Sequence, residues 1–226
     1  MRKPLSKGRA QIAFAVASIA LTACAVQAST ESGAQTESTM VSTENLPEGQ
    51  ATAVFAMGCF WCAESDFEKV EGVVDVISGY TGGRVVDPTY KQVTYDDTGH
   101  YEAVLVTYDT AKLSYEDLLT IFWKNVDPFD ARGQFCDKGT SYRAAAFPAS
   151  QSEKAAAKAS KAAREAELGK GEFATMILDR VEFYRAEEYH QDYYKKNPFR
   201  YLYYRNGCGR DRRLEQVWSS AAQPES

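Results

Sequence analysis

Cysteines stand at positions 24, 59, 62, 136 and 208 of the 226-residue chain, and only Cys59 and Cys62 lie close together in sequence. A thiol reacts as its thiolate. The start of a helix favours that form, because unsatisfied N–H groups and the positive end of the helix dipole face the sulfur there. Residues 52–57 (TAVFAM) are a short apolar run with strand character, and Gly58 breaks it. Beyond it Cys59, Ala63, Phe67 and Val70 recur at helical spacing over a helix expected at 59–69. Cys59 is therefore predicted at a strand-to-helix junction, as a thiolate on the first helical turn. Phe60 and Trp61 beside it make an apolar, electron-rich surface. Such a surface suits a small group of partial positive charge, for example a methyl on an oxidised sulfur.

Other chemistries fit the cysteines less well. A four-cysteine zinc site normally shows two close pairs, and here there is one, with His100 and His190 the only imidazoles. Both histidines are read as structural, and no metal or cofactor is expected. Two structural disulfides in a non-enzymatic envelope lipoprotein are a further reading, although a domain of this size does not need such staples. The alternative enzymatic reading is an exported thiol–disulfide oxidoreductase using Cys59-x-x-Cys62. The proline-containing loop and βαβ order of that class are missing from the sequence.

Several elements must position these residues. Strands are expected at 73–79 and 101–108, with a glycine-rich turn at Gly82-Gly83. Ser114 with Asp117 opens a helix over 115–124, and Ser150 with Glu153 opens a second, Ala- and Lys-rich one ending near Leu168 at Gly169 and Gly171. One or two strands are expected within 173–183, and a short amphipathic helix at 187–196 ended by Pro198. The stretch 201–213, with Gly207 and Gly209 around Cys208, reads as loop. Strands and helices intermingle without clean βαβ alternation, so the fold class is one α+β domain with a mixed or antiparallel sheet.

Eight segments in order then carry a resemblance: 57–61 (MGCFW), 79–83 (GYTGG), 87–90 (DPTY), 97–104 (DTGHYEAV), 115–119 (YEDLL), 127–128 (DP), 137–143 (DKGTSYR) and 197–198 (NP). The sequence resembles the peptide methionine sulfoxide reductases of the A type over nearly the whole domain. The resemblance implies a ferredoxin-like two-layer core, with helices packed on the sheet and a coiled C-terminal tail. It also implies reduction of the S epimer of methionine sulfoxide, free or in proteins, with recycling by a thioredoxin-like reductant. Cys59 matches the nucleophile, Glu102 the carboxyl that handles the sulfoxide oxygen, and Tyr90 and Tyr142 hydroxyls directed at the same oxygen. Phe60 and Trp61 match the methyl pocket, and Asp137 a polar residue lining the site.

Sulfoxide chemistry asks for these residue types. The sulfur is electrophilic, but its oxygen leaves only once protonated, so a carboxyl with a pKa raised by burial must stand near the thiolate. Two hydroxyls hold the oxygen and share its developing charge. The product on the enzyme is a sulfenic acid, which a second thiol condenses to a disulfide. Cys62 stands where many family members have glycine, and Cys208 lies in a glycine-flanked tail; both are candidates for that second thiol. Residues three apart on a helix have Cα atoms about 5 to 5.5 Å apart, within disulfide reach. Cys136, next to Asp137, is either a relay or a small buried hydrophobe.

The ends of the chain read differently. Residues 1–23 form a basic stretch followed by an apolar run (10–23) too short for a confident membrane span, the pattern of a signal peptide. Leu21-Thr22-Ala23-Cys24 resembles a lipobox, which makes Cys24 a lipidation candidate; cleavage after Ala28 is the competing outcome. Residues 24–50 are Ser-, Thr-, Glu- and Gly-rich and read as a flexible tether, 51–218 as the folded domain and 219–226 as a disordered tail. The expected location is the cell envelope, lipid-anchored facing the periplasm or soluble within it, as a monomer. The formal net charge is −5, and beyond the first nine residues 22 basic residues face 31 acidic ones. Such a balance gives nucleic acid nothing to bind.

Overall fold

The structure, a computed structural model, describes residues 39–43, 45–169 and 171–219. The expected signal peptide, Cys24 and the 220–226 end of the tail lie outside the described residues. In chain order the elements are β1 (Thr39–Met40), β2 (Gln50–Met57), α1 (Phe60–Phe67), β3 (Val73–Thr81), α2 (Tyr90–Tyr95), β4 (Tyr101–Asp109) and α3 (Tyr115–Lys124). The short strands β5 (Gly133–Gln134) and β6 (Asp137–Lys138), a 3-10 turn at Thr140–Tyr142 and β7 (Ala144–Ala146) follow. The chain closes with α4 (Gln151–Leu168), β8 (Met176–Ile177), β9 (Phe183–Arg185), α5 (Tyr193–Lys196), α6 (Pro198–Cys208) and α7 (Arg210–Trp218).

A seven-stranded sheet runs β1-β9-β3-β4-β2-β7-β8. Every pairing is antiparallel except that of β7 with β8, so the sheet is mixed. Within it β4 separates β2 from β3, and β7 lies on the far side of β2. With α1 and α3 as the crossovers, this is the expected ferredoxin-like βαββαβ arrangement. Residues 52–57 read as continuously apolar because both faces of β2 are covered. Ala53, Phe55 and Met57 join the core with Phe60, Ala63 and Phe67 of α1 and Leu118 and Phe122 of α3. Val54 and Ala56 pack on the other face with Ala103, Leu105, Phe147 and Phe183. Phe55 stacks on Phe67 at 5.4 Å and on Phe122 at 5.1 Å, fixing both helices to the strand. The predicted cap of α3 is present, with Ser114 and Asp117 satisfying each other's backbone N–H.

Three expectations are corrected. The stretch 201–213 is not loop, and the tail is not coiled: it forms most of α6 and the first turn of α7, joined at Gly209 in the left-handed region (φ 68°). Burial outweighs the weak helix propensity of its glycines, because Tyr201, Arg210 and Leu214 are all buried. The helix expected at 187–196 shrinks to the single turn of α5, and the residues before it form turns. The last part of the 24–50 tether docks on the sheet. Thr39 and Met40 pair with Arg185 and Tyr184, and the Val41 N–H donates to the Phe183 carbonyl at 2.8 Å.

Candidate active site

Gly58 makes the junction between β2 and α1. Its φ is +82°, and a Cβ at this position would sit 2.6 Å from the Cβ of Gln134, so only glycine fits. The turn leaves Cys59 as the N-cap of α1, one residue short of the helix proper, with no side-chain cap hydrogen bond. Cys59 is only 6% exposed. It is nevertheless reachable, because it lines a small cavity of about 70 Å³ that opens to solvent.

The same cavity is lined by Phe60, Trp61, Tyr90, Glu102, Asp137, Tyr142 and Tyr204. All seven residues assigned from the sequence to catalysis and substrate binding therefore meet in one place. Their elements explain the convergence: β4 delivers Glu102 from the sheet, α2 delivers Tyr90, and the segment around β6 and the 3-10 turn delivers Asp137 and Tyr142. A space of this size suits the end of one side chain.

Glu102 is 2% exposed, and its Oε2 accepts the backbone N–H of Phe60 at 3.1 Å. Burial pushes its pKa up to about 8, with Asp137 adding to the rise and the Phe60 N–H opposing it. Tyr90 and Tyr142 interact through their hydroxyls, and Tyr142 also reaches Glu102. Burial raises the pKa of both phenols, so at neutral pH they are donors.

The two thiols near the helix start behave as a pair. Burial, the hydrogen bond with Cys62 and the charges of Cys62, Glu102 and Asp137 raise Cys59 well above the ordinary thiol range. The same hydrogen bond lowers Cys62 to about 7, against its burial and with help from Arg210 and Arg205. The expectation of a thiolate at residue 59 is corrected accordingly. At Cys59 burial and the neighbouring acids outweigh the N-terminus of an eight-residue helix.

Cys136 and Cys208 form a disulfide, while Cys59 and Cys62 are free. The bond differs from the readings of Cys136 as relay or lone buried hydrophobe; of the two-disulfide reading it matches one bridge, with Cys59 and Cys62 left free. Its sulfurs lie 3.8 and 3.9 Å from the carboxylate oxygens of Asp137. Asp137 also accepts the hydroxyl of Tyr204.

Some supporting residues were missed in the sequence. His190 accepts the indole N–H of Trp61 on Nδ1 at 3.0 Å. Burial lowers its pKa to about 4, which keeps that nitrogen free to accept. Glu187 accepts the Tyr80 hydroxyl and the Tyr90 backbone N–H, both at 2.8 Å, and so anchors α2. Tyr193 stacks on Trp61 with ring centroids 3.7 Å apart. Tyr204 went unassigned because its segment was read as loop. The signal was present, since Tyr201, Tyr204 and Cys208 recur at helical spacing. Arg210 is 1% exposed and donates to the carbonyls of Met57 and Asn125.

A family model described as peptide methionine sulfoxide reductase matches residues 51–222. The chain belongs to this family. Among similar proteins, a peptide methionine sulfoxide reductase A of Caulobacter vibrioides is 54% identical over 167 residues, 74% of this reductase and 85% of its relative. One of Bacillus subtilis is 46% identical over 177 residues, 77% and 99% of the two chains. Among solved structures, methionine sulfoxide reductase A of Corynebacterium diphtheriae aligns with TM-score 0.62 and 32% identity, covering 67% of the reductase and 77% of that chain. Reduced Mxr1 of Saccharomyces cerevisiae aligns with TM-score 0.64 and 31% identity, covering 69% and 90%.

Proposed function

We propose that the protein reduces the S epimer of methionine sulfoxide to methionine, with Cys59 as nucleophile and Glu102 as proton donor. The observation that carries the reading is the shared cavity, in which a thiol, a buried carboxyl and two phenols face one space. In the resting site the Cys59 thiol is hydrogen-bonded to Cys62. As the Cys59 sulfur attacks the sulfoxide sulfur, its proton passes to Cys62, held as the thiolate, and the proton of Glu102 passes to the oxygen. Tyr90 and Tyr142 hold that oxygen as charge develops, and Phe60 and Trp61 hold the methyl. Collapse of the adduct releases methionine and leaves a sulfenic acid on Cys59.

Cys62 then resolves it. Its sulfur attacks the sulfenic sulfur, its proton reloads Glu102, and Glu102 protonates the departing hydroxide to water. The products are water and a Cys59–Cys62 disulfide. Two features support Cys62 over Cys208: it is already hydrogen-bonded to Cys59, and Cys208 is bonded to Cys136. A thioredoxin-like dithiol returns the pair to thiols. Thiol–disulfide exchange by Cys59 and Cys62 alone would leave Glu102, Tyr90 and Tyr142 without a task.

The leader and Cys24 support a place in the envelope, lipid-anchored or soluble in the periplasm. Mass spectrometry of the mature N-terminus tests the anchor: a diacylated Cys24 supports it, and a free residue 29 overturns it. The activity itself is tested with separated S and R sulfoxides and dithiothreitol, beside an insulin-disulfide assay. Turnover of the S form alone supports the reading, and insulin reduction without sulfoxide turnover contradicts it.

A further inference from the structure

Helix α6 carries large apolar side chains on its outside. Phe199 is 88% exposed, Tyr203 84% and Leu202 52%. Single exposed hydrophobes are ordinary, but a contiguous group beside a site marks a binding surface. Phe199 and Tyr203 line an open trough of about 560 Å³ together with Trp61, Tyr193, Arg200 and Tyr204. Trp61 and Tyr204 also line the cavity at Cys59, so trough and cavity share a wall. That wall is rigid. Trp61 stacks on Tyr193 within 7° of parallel, its N–H is held by His190, and Tyr204 meets it edge-on at 5.9 Å.

The cavity accommodates only the end of a methionine side chain, so the rest of a protein substrate must lie outside its mouth. The trough adjoins the cavity across Trp61 and Tyr204. A preformed aromatic floor binds apolar side chains with little ordering cost. Arg200 is the charged residue lining it. We propose that the trough binds the polypeptide flanking an oxidised methionine, and that it favours an extended segment with an aromatic or aliphatic neighbour and an acidic residue. The proposal rests on the reading of the Cys59 cavity as the sulfoxide site.

The test compares N-acetylmethionine sulfoxide with a peptide carrying Phe and Glu beside the sulfoxide, under saturating dithiothreitol. Phe199 and Tyr203 line the trough and not the cavity, and both are exposed, so Phe199→Ser/Tyr203→Ser leaves the core intact. The double variant is expected to lower kcat/KM on the peptide about tenfold through KM, from lost apolar contact, with the small substrate unchanged. Arg200→Glu is expected to shift preference from Glu-flanked to Lys-flanked peptides. Equal loss on both substrates overturns the proposal, as does an unchanged peptide KM. A rise confined to the KM of a thioredoxin-like reductant also overturns it, by giving the trough to the reductant. A wild-type enzyme inactive on both substrates overturns the sulfoxide reading itself, and the trough proposal with it.

Discussion

The backbone N–H of Phe60 donates to Oε2 of Glu102 at 3.1 Å, tying the first residue of α1 to the acid on β4 across 42 positions of sequence. The nucleophile precedes Phe60 directly, so one bond sets the distance between thiol and proton donor. Glu102→Gln keeps an acceptor for that N–H and removes only the proton. Activity on the S sulfoxide should fall by about 10²- to 10⁴-fold with the fold retained. A near-wild-type rate in a steady-state assay would remove Glu102 from the chemistry.

The pH profile follows from the same residue. Glu102 is an acid below about pH 8 and a carboxylate above it. The rate is therefore expected to hold at neutral pH and to fall as pH rises through about 8, and Glu102→Gln should lack that falling limb. A wild-type limb that persists in the variant assigns the titration to another group.

Tyr90 and Tyr142 present two donors to one oxygen. Tyr90→Phe and Tyr142→Phe should each lower kcat by roughly 10²- to 10³-fold, the range for losing one such donor, with little change in KM. Circular dichroism checks the fold. A rise in KM alone assigns them to binding instead.

The cysteines separate by role. Cys62→Ser should reduce about one equivalent of sulfoxide and stop until an external thiol attacks the sulfenic acid. Cys208→Ser opens a bridge between residues 72 apart and should lower stability by about 2–4 kcal/mol, with the first turnover intact. Thiol quantitation after single turnovers distinguishes them. Sustained cycling by Cys62→Ser together with arrest in Cys208→Ser would assign resolution to Cys208.

Glu64 gives a stability prediction free of the chemistry. It is 1% exposed, its Oε1 accepts the Asp192 N–H at 3.1 Å, and its Oε2 has no partner among the described residues. Burial raises its pKa from 4.5 to about 8. The folded state holds this proton where the unfolded chain has released it, so the contribution is full below pH 4.5 and is lost as pH rises towards 8. Glu64→Gln should flatten that decline and stabilise the protein at pH 8 by on the order of 2 kcal/mol, measured by urea denaturation.

Much of this was legible in the sequence because local signals and burial agree there. The run 52–57, the break at Gly58, the Ser114 cap and the β4 residues around Glu102 each announce their element by pattern. The residues at Tyr204, His190 and Glu187 did not, because their roles come from contacts across the chain. Trp61 finds its hydrogen-bond partner 129 residues away. The glycines at 207 and 209 argued for loop, and the burial of Tyr201 and Arg210 overrode them. The pKa order of Cys59 and Cys62 was equally out of reach. It depends first on burial and on the hydrogen bond between the two thiols, and then on the carboxylates and arginines that the fold brings to the pair.

The most direct measurement is a single turnover by reduced enzyme on separated S and R sulfoxides without added reductant, followed by disulfide mapping. One equivalent of methionine from the S form alone, with a new bond between Cys59 and Cys62, is the predicted result. Methionine formed at the wild-type rate by Cys59→Ser, or from the R form, contradicts it.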